Sequence, residues 1–222
     1  VAKNSLIVSD GGMRRVFRTA VEKSTFTAED LVGLEELSGF RMEDSAAYPV
    51  QDLDAVRYCP GLKSFDLTYN EVEDLGPLAG CPELEELNLL ENLVTDLTPL
   101  RHCSKLRVLN LNSNSDLVDI EPLRGLKSLE QLDLNYTAVE DFSPLLDLPA
   151  LKEAILPVSN LDWESEGETV RILSELARRG VALNICERKD WDQYDRQRCS
   201  RECEGHEQIR GILKRGNQAG QE

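Results

Sequence analysis

Histidine is almost missing from this chain: two among 222 residues, His102 and His206, with no Gly-rich phosphate loop, nucleophile elbow or paired-His metal motif. Catalysis is therefore not expected. Also absent are long apolar runs, since nothing approaches the ~18 to 20 residues of a membrane-spanning helix. Basic charge is scarce as well. Lys and Arg total 25 against 41 Asp and Glu, a net charge of −16, which repels nucleic acid phosphate and anionic lipid and favours basic partners. No stretch near Val1 joins a basic start, an apolar segment and a small-residue cleavage site, so no secretory signal is expected. A chain starting at Val rather than Met fits a fragment or a processed product.

What is present is a soluble composition, 41% hydrophobic and 30% charged, at a length suited to one domain with an extended tail. The acid is concentrated in the middle: residues 24–185 hold 31 acidic and 12 basic side chains. The same region is periodic. From Cys59 it reads CPGLKSFDLTYNEVEDLGPLAG, from Cys81 CPELEELNLLENLVTDLTPLRH, and from Cys103 CSKLRVLNLNSNSDLVDIEPLRG. From Leu126 follows LKSLEQLDLNYTAVEDFSPLLD, and from Leu148 LPALKEAILPVSNLDW. The unit starts lie 22, 22, 23 and 22 residues apart, and Pro77, Pro99, Pro122 and Pro144 keep step. The extra residue of the third unit falls near Asn114–Leu117.

The pattern L-x-x-L-x-L-x-x-N with a D-L-x-P-L ending resembles the 22-residue leucine-rich repeat of internalins and of the leucine-rich regulatory subunit of protein phosphatase 1. A degenerate upstream unit starts at Leu34-Glu35-Glu36-Leu37 and ends at Asp52-Leu53-Asp54-Ala55-Val56. Phe17-Arg-Thr-Ala-Val21 ahead of Thr27-Ala-Glu-Asp-Leu31 resembles the helical N-terminal cap of bacterial members. The resemblance implies an α/β fold, a right-handed leucine-rich repeat solenoid with a parallel β-sheet on the concave face and helical caps. It also implies a binding scaffold, in a family that ranges from surface adhesins to phosphatase regulators.

Physics assigns the columns independently. One unit cannot bury its apolar side, so units stack around a shared core. Each supplies a strand, such as Phe65–Tyr69 or Leu109–Ser113, with Leu67, Leu89, Leu111, Leu134 and Leu156 inward. Asn70, Asn92 and Asn114 are placed to satisfy backbone groups of adjacent turns; Thr137 and Ser159 bond less fully there, so this ladder is expected to weaken toward the C-terminal end. Asp52, Asp74, Asp96, Asp119 and Asp141 read as N-caps of short helical turns, in preference to calcium ligands, because one carboxylate per turn supplies too few oxygens.

Both ends look different. Met13, Val16, Phe17, Ala20 and Val21 make one helix face, and a second helix starts at Thr27 with Asp30 three residues on. Residues 165–168 have capping-box spacing ahead of the apolar stripe Val170, Leu173, Leu176 and Ala177; Gly180 is a stop, and Val181–Ile185 reads as a last strand. The expected organisation is an N-terminal cap over 1–33, repeats over 34–161, a C-terminal helix-strand cap over 162–186, and a polar, mobile tail over 187–222.

Cys59, Cys81 and Cys103 share a column with Leu126 and Leu148 and behave as small buried hydrophobes, which favours a reducing, cytoplasmic location. Cys186, Cys199, Cys203 and His206 bring four potential zinc ligands into 21 residues, but without a C-x-x-C knuckle, and no metal or cofactor is assigned.

The exposed side of the strands remains. Its rows read Ser64, Glu86, Val108, Gln131, Glu153; then Asp66, Asn88, Asn110, Asp133, Ile155; then Thr68, Leu90, Asn112, Asn135, Pro157; then Tyr69, Glu91, Ser113, Tyr136, Val158. The expected partner-binding residues are Asp66, Thr68, Tyr69, Glu86, Asn88, Leu90, Glu91, Asn110, Asn112, Gln131, Asp133, Asn135 and Tyr136. Tyr69, Leu90 and Tyr136 serve as anchors, and Asp66, Glu86, Glu91 and Asp133 as charges that steer a protein with a basic surface. The expected function is a non-catalytic protein-interaction scaffold without nucleic acid binding or membrane insertion. The alternatives are a secreted or surface adhesin and a metal- or thiol-responsive switch in the tail.

Overall fold

The computed structural model describes residues 5–42, 47–157 and 167–185, and the single position Gly211. Two helices, α1 (Gly11–Val21) and α2 (Ala28–Leu31), precede β1 (Glu36–Ser38). Four repeats follow, carrying β2 (Ser64–Asp66), β3 (Glu86–Asn88), β4 (Val108–Asn110) and β5 (Gln131–Asp133). β6 (Glu153–Leu156), α3 (Glu168–Arg178) and β7 (Ala182–Ile185) close the order. The seven strands form one parallel sheet in sequence order, with Leu37, Phe65, Leu87, Leu109, Leu132, Ala154 and Leu183 in register.

Each repeat returns through a 3-10 turn on the convex side: Gly76–Gly80, Thr98–His102, Glu121–Gly125 and Ser143–Asp147, with another at Asp54–Tyr58. Proline in the first turn of the last four fits because an N–H there has no intrahelical acceptor. The aspartate column satisfies the N–H two residues on: Asp52, Asp74, Asp96, Asp119 and Asp141 accept from residues 54, 76, 98, 121 and 143 at 2.7–2.8 Å. The carboxylates therefore sit one position outside the expected cap, where Leu53, Leu75, Leu97, Ile120 and Phe142 stand, while still serving the first free donor.

One apolar core runs from Met13, Phe17 and Leu31 through the leucine columns to Leu173 and Leu176. At the front, Asp10 caps α1 by accepting from the Met13 N–H at 2.5 Å, and its other oxygen accepts from the Gln51 N–H at 3.2 Å. Gly12 has room for no side chain, since a Cβ would lie 2.3 Å from the Pro49 carbonyl oxygen. Val16 and Phe17 are buried as expected, but Ala20 faces solvent, because the helix turns that side away from the sheet. Thr27 and Asp30 form a reciprocal capping box on α2. At the back α3 begins after Gly167 with no side-chain cap bond, so the described part of the expected capping box contributes none. Arg179 donates to the Leu146 and Leu148 carbonyls at 2.8 and 2.7 Å, fastening this cap to the last 3-10 turn.

Candidate functional site: the concave sheet and its two lips

The buried asparagines determine how much of each repeat is strand. Asn92 Oδ1 accepts from the Val72 N–H at 3.0 Å, and its Nδ2 donates to the Leu67 and Leu90 carbonyls at 2.9 and 3.2 Å. Asn70 and Asn114 do the same, binding the Val50 and Val94 N–H groups and the Gly39 and Leu89 carbonyls. Gly39, Leu67 and Leu89 are the carbonyls that Thr68, Leu90 and Asn112 N–H would reach if the parallel ladder continued. With those acceptors occupied, each N–H turns to a side chain two residues back. Asp66, Asn88, Asn110 and Asp133 accept from Thr68, Leu90, Asn112 and Asn135 at 3.0, 3.2, 3.0 and 2.9 Å.

The strands accordingly have three residues, where five-residue spans such as Phe65–Tyr69 were expected. In the last repeat Ile155 replaces the Asp or Asn, and β6 runs one residue longer, pairing Leu156 with Ile185.

This changes the reading of the second row. Asp66, Asn88, Asn110 and Asp133 were expected to await a partner, yet each has an oxygen committed to its own chain. Two expected surface residues are buried outright: Thr68 at 4% exposure, its hydroxyl donating to Asp66 at 2.7 Å, and Asp133 at 8%, accepting from Asn112 Nδ2 at 3.3 Å. Pro157 is buried too. Leu90, Asn112, Asn135, Tyr69 and Glu91 are half-buried, and Tyr136 is 45% exposed. In the first row Glu86 and Gln131 stand exposed, with no side-chain hydrogen bond or ion pair among the described residues.

The expected weakening of the amide ladder is offset at its first step. Thr137 makes one bond, to the Leu134 carbonyl at 2.7 Å. The donor that an asparagine would have served, the Leu117 N–H, instead reaches the Asn114 carbonyl at 3.1 Å. The additional residue of that repeat provides this turn, so nothing there requires a second amide. Ser159 lies outside the described residues.

The backbone of one column and the whole of another escaped the sequence reading. Tyr69, Glu91, Ser113 and Tyr136 all adopt the left-handed backbone conformation, with φ of 58, 53, 61 and 55°. The chain bends away from the strand there while three of these residues still donate to the next repeat at 2.9–3.0 Å. None is glycine or asparagine, so composition gives no sign of it.

The second column precedes the strands. Glu35, Lys63, Glu85, Arg107, Glu130 and Lys152 stack through N–H to carbonyl bonds of 2.7–2.8 Å, and their charges alternate without a break. Lys63 pairs with Glu35 at 2.9 Å, Arg107 with Glu85 at 3.8 Å and Glu130 at 3.3 Å, and Lys152 with Glu130 at 2.7 Å. Hydrogen bonds from Lys152 and then Arg107 hold the Glu130 carboxyl below its usual range, and Glu35 holds the Lys63 ammonium above its own. This lip is therefore neutral.

Cys59, Cys81 and Cys103 are free and fully buried, as expected. Desolvation pushes the first up to about 12 and the other two up to about 11. Cys186, Cys199, Cys203 and His206 lie outside the described residues. Among the described residues no group of three or more His, Cys, Asp or Glu is arranged to hold a metal ion, and no helix is long and apolar enough to cross a membrane.

A family model described as leucine-rich repeats matches two segments, residues 60–102 and 104–152. An internalin (inlF) from Listeria monocytogenes is similar in structure, with a TM-score of 0.58 at 21% identity over 81% of this chain and 56% of that one. A second, internalin C2 from the same organism, gives 0.56 at 24% identity over 83% and 91%. No curated protein matches the sequence. This chain thus spans just over half of the first internalin and most of the second. The chain carries leucine-rich repeats over residues 60–152 and folds as a parallel-sheet solenoid similar to those of the two internalins.

Proposed function

We propose that this solenoid is a non-catalytic scaffold whose concave sheet binds a protein with a basic surface. The observation that carries the reading is the first row of the sheet. Glu86 and Gln131 project from a backbone held rigid on both sides, and among the described residues neither side chain makes a hydrogen bond or a close ion pair, although Arg107 lies near enough to Glu86 to feel its charge. Groups presented on a fixed sheet lose little freedom when a partner covers them. The surplus of acid over residues 24–185 gives the face its sign and favours a cationic partner. The buried thiols support a reducing, cytoplasmic setting for the encounter.

The test is the introduction of positive charge on that row. Partners captured by the wild-type chain are re-measured by calorimetry against the double variant Glu86→Lys with Gln131→Lys. Affinity is expected to fall at least about tenfold, with most of the loss reversed at high ionic strength. An unchanged affinity would place the contact elsewhere.

A further inference from the structure

The bond that ends each strand engages only one end of an amide. Asn88 and Asn110 are paired in register on β3 and β4, and the Oδ1 of each accepts from the N–H two residues on, Leu90 at 3.2 Å and Asn112 at 3.0 Å. With the oxygen held, the pose of the carboxamide is set and the Nδ2 group is what remains. Among the described residues neither Nδ2 makes a hydrogen bond, and both side chains are half-buried on the concave face. Asn112 differs, since its Nδ2 donates to Asp133 at 3.3 Å and its Oδ1 accepts from the Ser113 hydroxyl at 2.8 Å.

The same column holds Asp66 on β2 and Asp133 on β5, each making the same bond to the N–H two residues on, at 3.0 and 2.9 Å. A carboxylate offers no N–H. The side-chain donors of this row are therefore confined to two adjacent strands, with an acid on either side.

We propose that Asn88 and Asn110 together grip one uncharged carbonyl oxygen, a main-chain carbonyl of the basic partner. The proposal rests on the scaffold reading and adds to it the group that the sheet holds and the two residues that hold it. Neighbouring strands lie about 4.8 Å apart, and the shared bond gives both amides one pose, so the two nitrogens stand about that far apart. An oxygen ~2.9 Å from each sees them about 110° apart, close to the spread of the two lone pairs of a carbonyl. Charge excludes an anion in that place. Asp66, Glu86 and Asp133 lie around the pair, while Arg107 is taken up by Glu85 and Glu130, and Arg41 donates to the Tyr69 carbonyl at 2.8 Å. A carboxylate or phosphate meets net repulsion there, and a carbonyl does not.

The experiment uses the full chain and the double variant Asn88→Asp with Asn110→Asp. The Oδ1 acceptors and their turn bonds stay, as in the two natural aspartates, but both donors are lost and two negative charges enter. The probes are two tetracations, acetyl-tetralysine amide, which carries main-chain carbonyls, and spermine, which carries none. Added acid strengthens both alike, whereas only the peptide loses the grip. Calorimetric titration is expected to show the peptide-to-spermine affinity ratio falling about tenfold in the variant. In the wild-type chain the side-chain NH2 resonances of Asn88 and Asn110 are expected to shift with the peptide and far less with spermine. An unchanged ratio, no binding of the peptide, or equal shifts with both probes would overturn the assignment and leave the concave reading standing. That reading fails separately, if Glu86→Lys with Gln131→Lys leaves partner affinity unchanged. An unchanged urea midpoint verifies that the aspartate variant is folded.

Discussion

The side-chain amide of Asn92 donates at 2.9 Å to the main-chain carbonyl of Leu67, 25 residues earlier and one repeat back. That bond takes the acceptor which the Leu90 N–H would otherwise use, and Leu90 turns to Asn88 at 3.2 Å. The buried asparagines and the Asp or Asn row of the sheet thus act as a single device that ends β2, β3 and β4 after three residues.

Removing the buried member leaves several backbone groups without partners. Asn92→Ala orphans the Val72 N–H and weakens the hold on the Leu67 and Leu90 carbonyls, at an expected cost of about 3 kcal/mol in urea unfolding. Thr137→Val removes one bond, and the Leu117 N–H keeps its backbone acceptor, so about 1 kcal/mol is expected. Equal costs at the two positions would contradict this division of labour.

The left-handed column stores strain. Glu91 holds φ at 53°, a conformation that asparagine tolerates better than glutamate. Glu91→Asn is expected to raise stability by about 0.5–1 kcal/mol. Glu73→Asn, at an exposed position outside that column, serves as the control and brings no gain. A calorimetric melt distinguishes the two.

The alternating lip predicts both pH and salt behaviour. The folded chain holds Glu130 below the ordinary 4.5 through Lys152 and Arg107. Its contribution is therefore complete above that value and is lost as pH falls through the lower, folded one. The stability advantage of wild type over Glu130→Gln shrinks on acidification from about pH 5 to about pH 3. Arg107→Glu sets three acids side by side and lowers the urea midpoint most at low ionic strength, with the deficit narrowing in salt.

The buried thiols give a signature at the other end of the scale. Cys59, Cys81 and Cys103 are raised to about 12, 11 and 11 from an ordinary 9.0, because burial opposes the thiolate. Their stabilising contribution is complete below about pH 9 and is lost as pH rises from there through the folded values. In a variant with Cys186, Cys199 and Cys203 changed to serine, a thiol reagent at about pH 8 should find no reactive group until denaturant is added.

The solenoid was legible because Leu67, Leu89, Leu111 and Leu134 recur at nearly constant spacing, and a period exposes whatever must stack. The concave face was less legible. Strict alternation along five-residue strands put Thr68 and Asp133 outside, but the alternation ends where Asp66 and Asp133 capture an N–H of their own chain. Side-chain-to-backbone bonds of this kind obey no apolar period.

The most direct test of the scaffold reading introduces positive charge on opposite sides of the same molecule. Glu86→Lys with Gln131→Lys alters the concave sheet, and Glu121→Lys alters a convex 3-10 turn. Calorimetric titration with the captured partner should give a Kd at least about tenfold weaker for the concave variant and essentially unchanged for the convex one. Loss confined to Glu121→Lys, with the concave variant binding like wild type, would contradict the account.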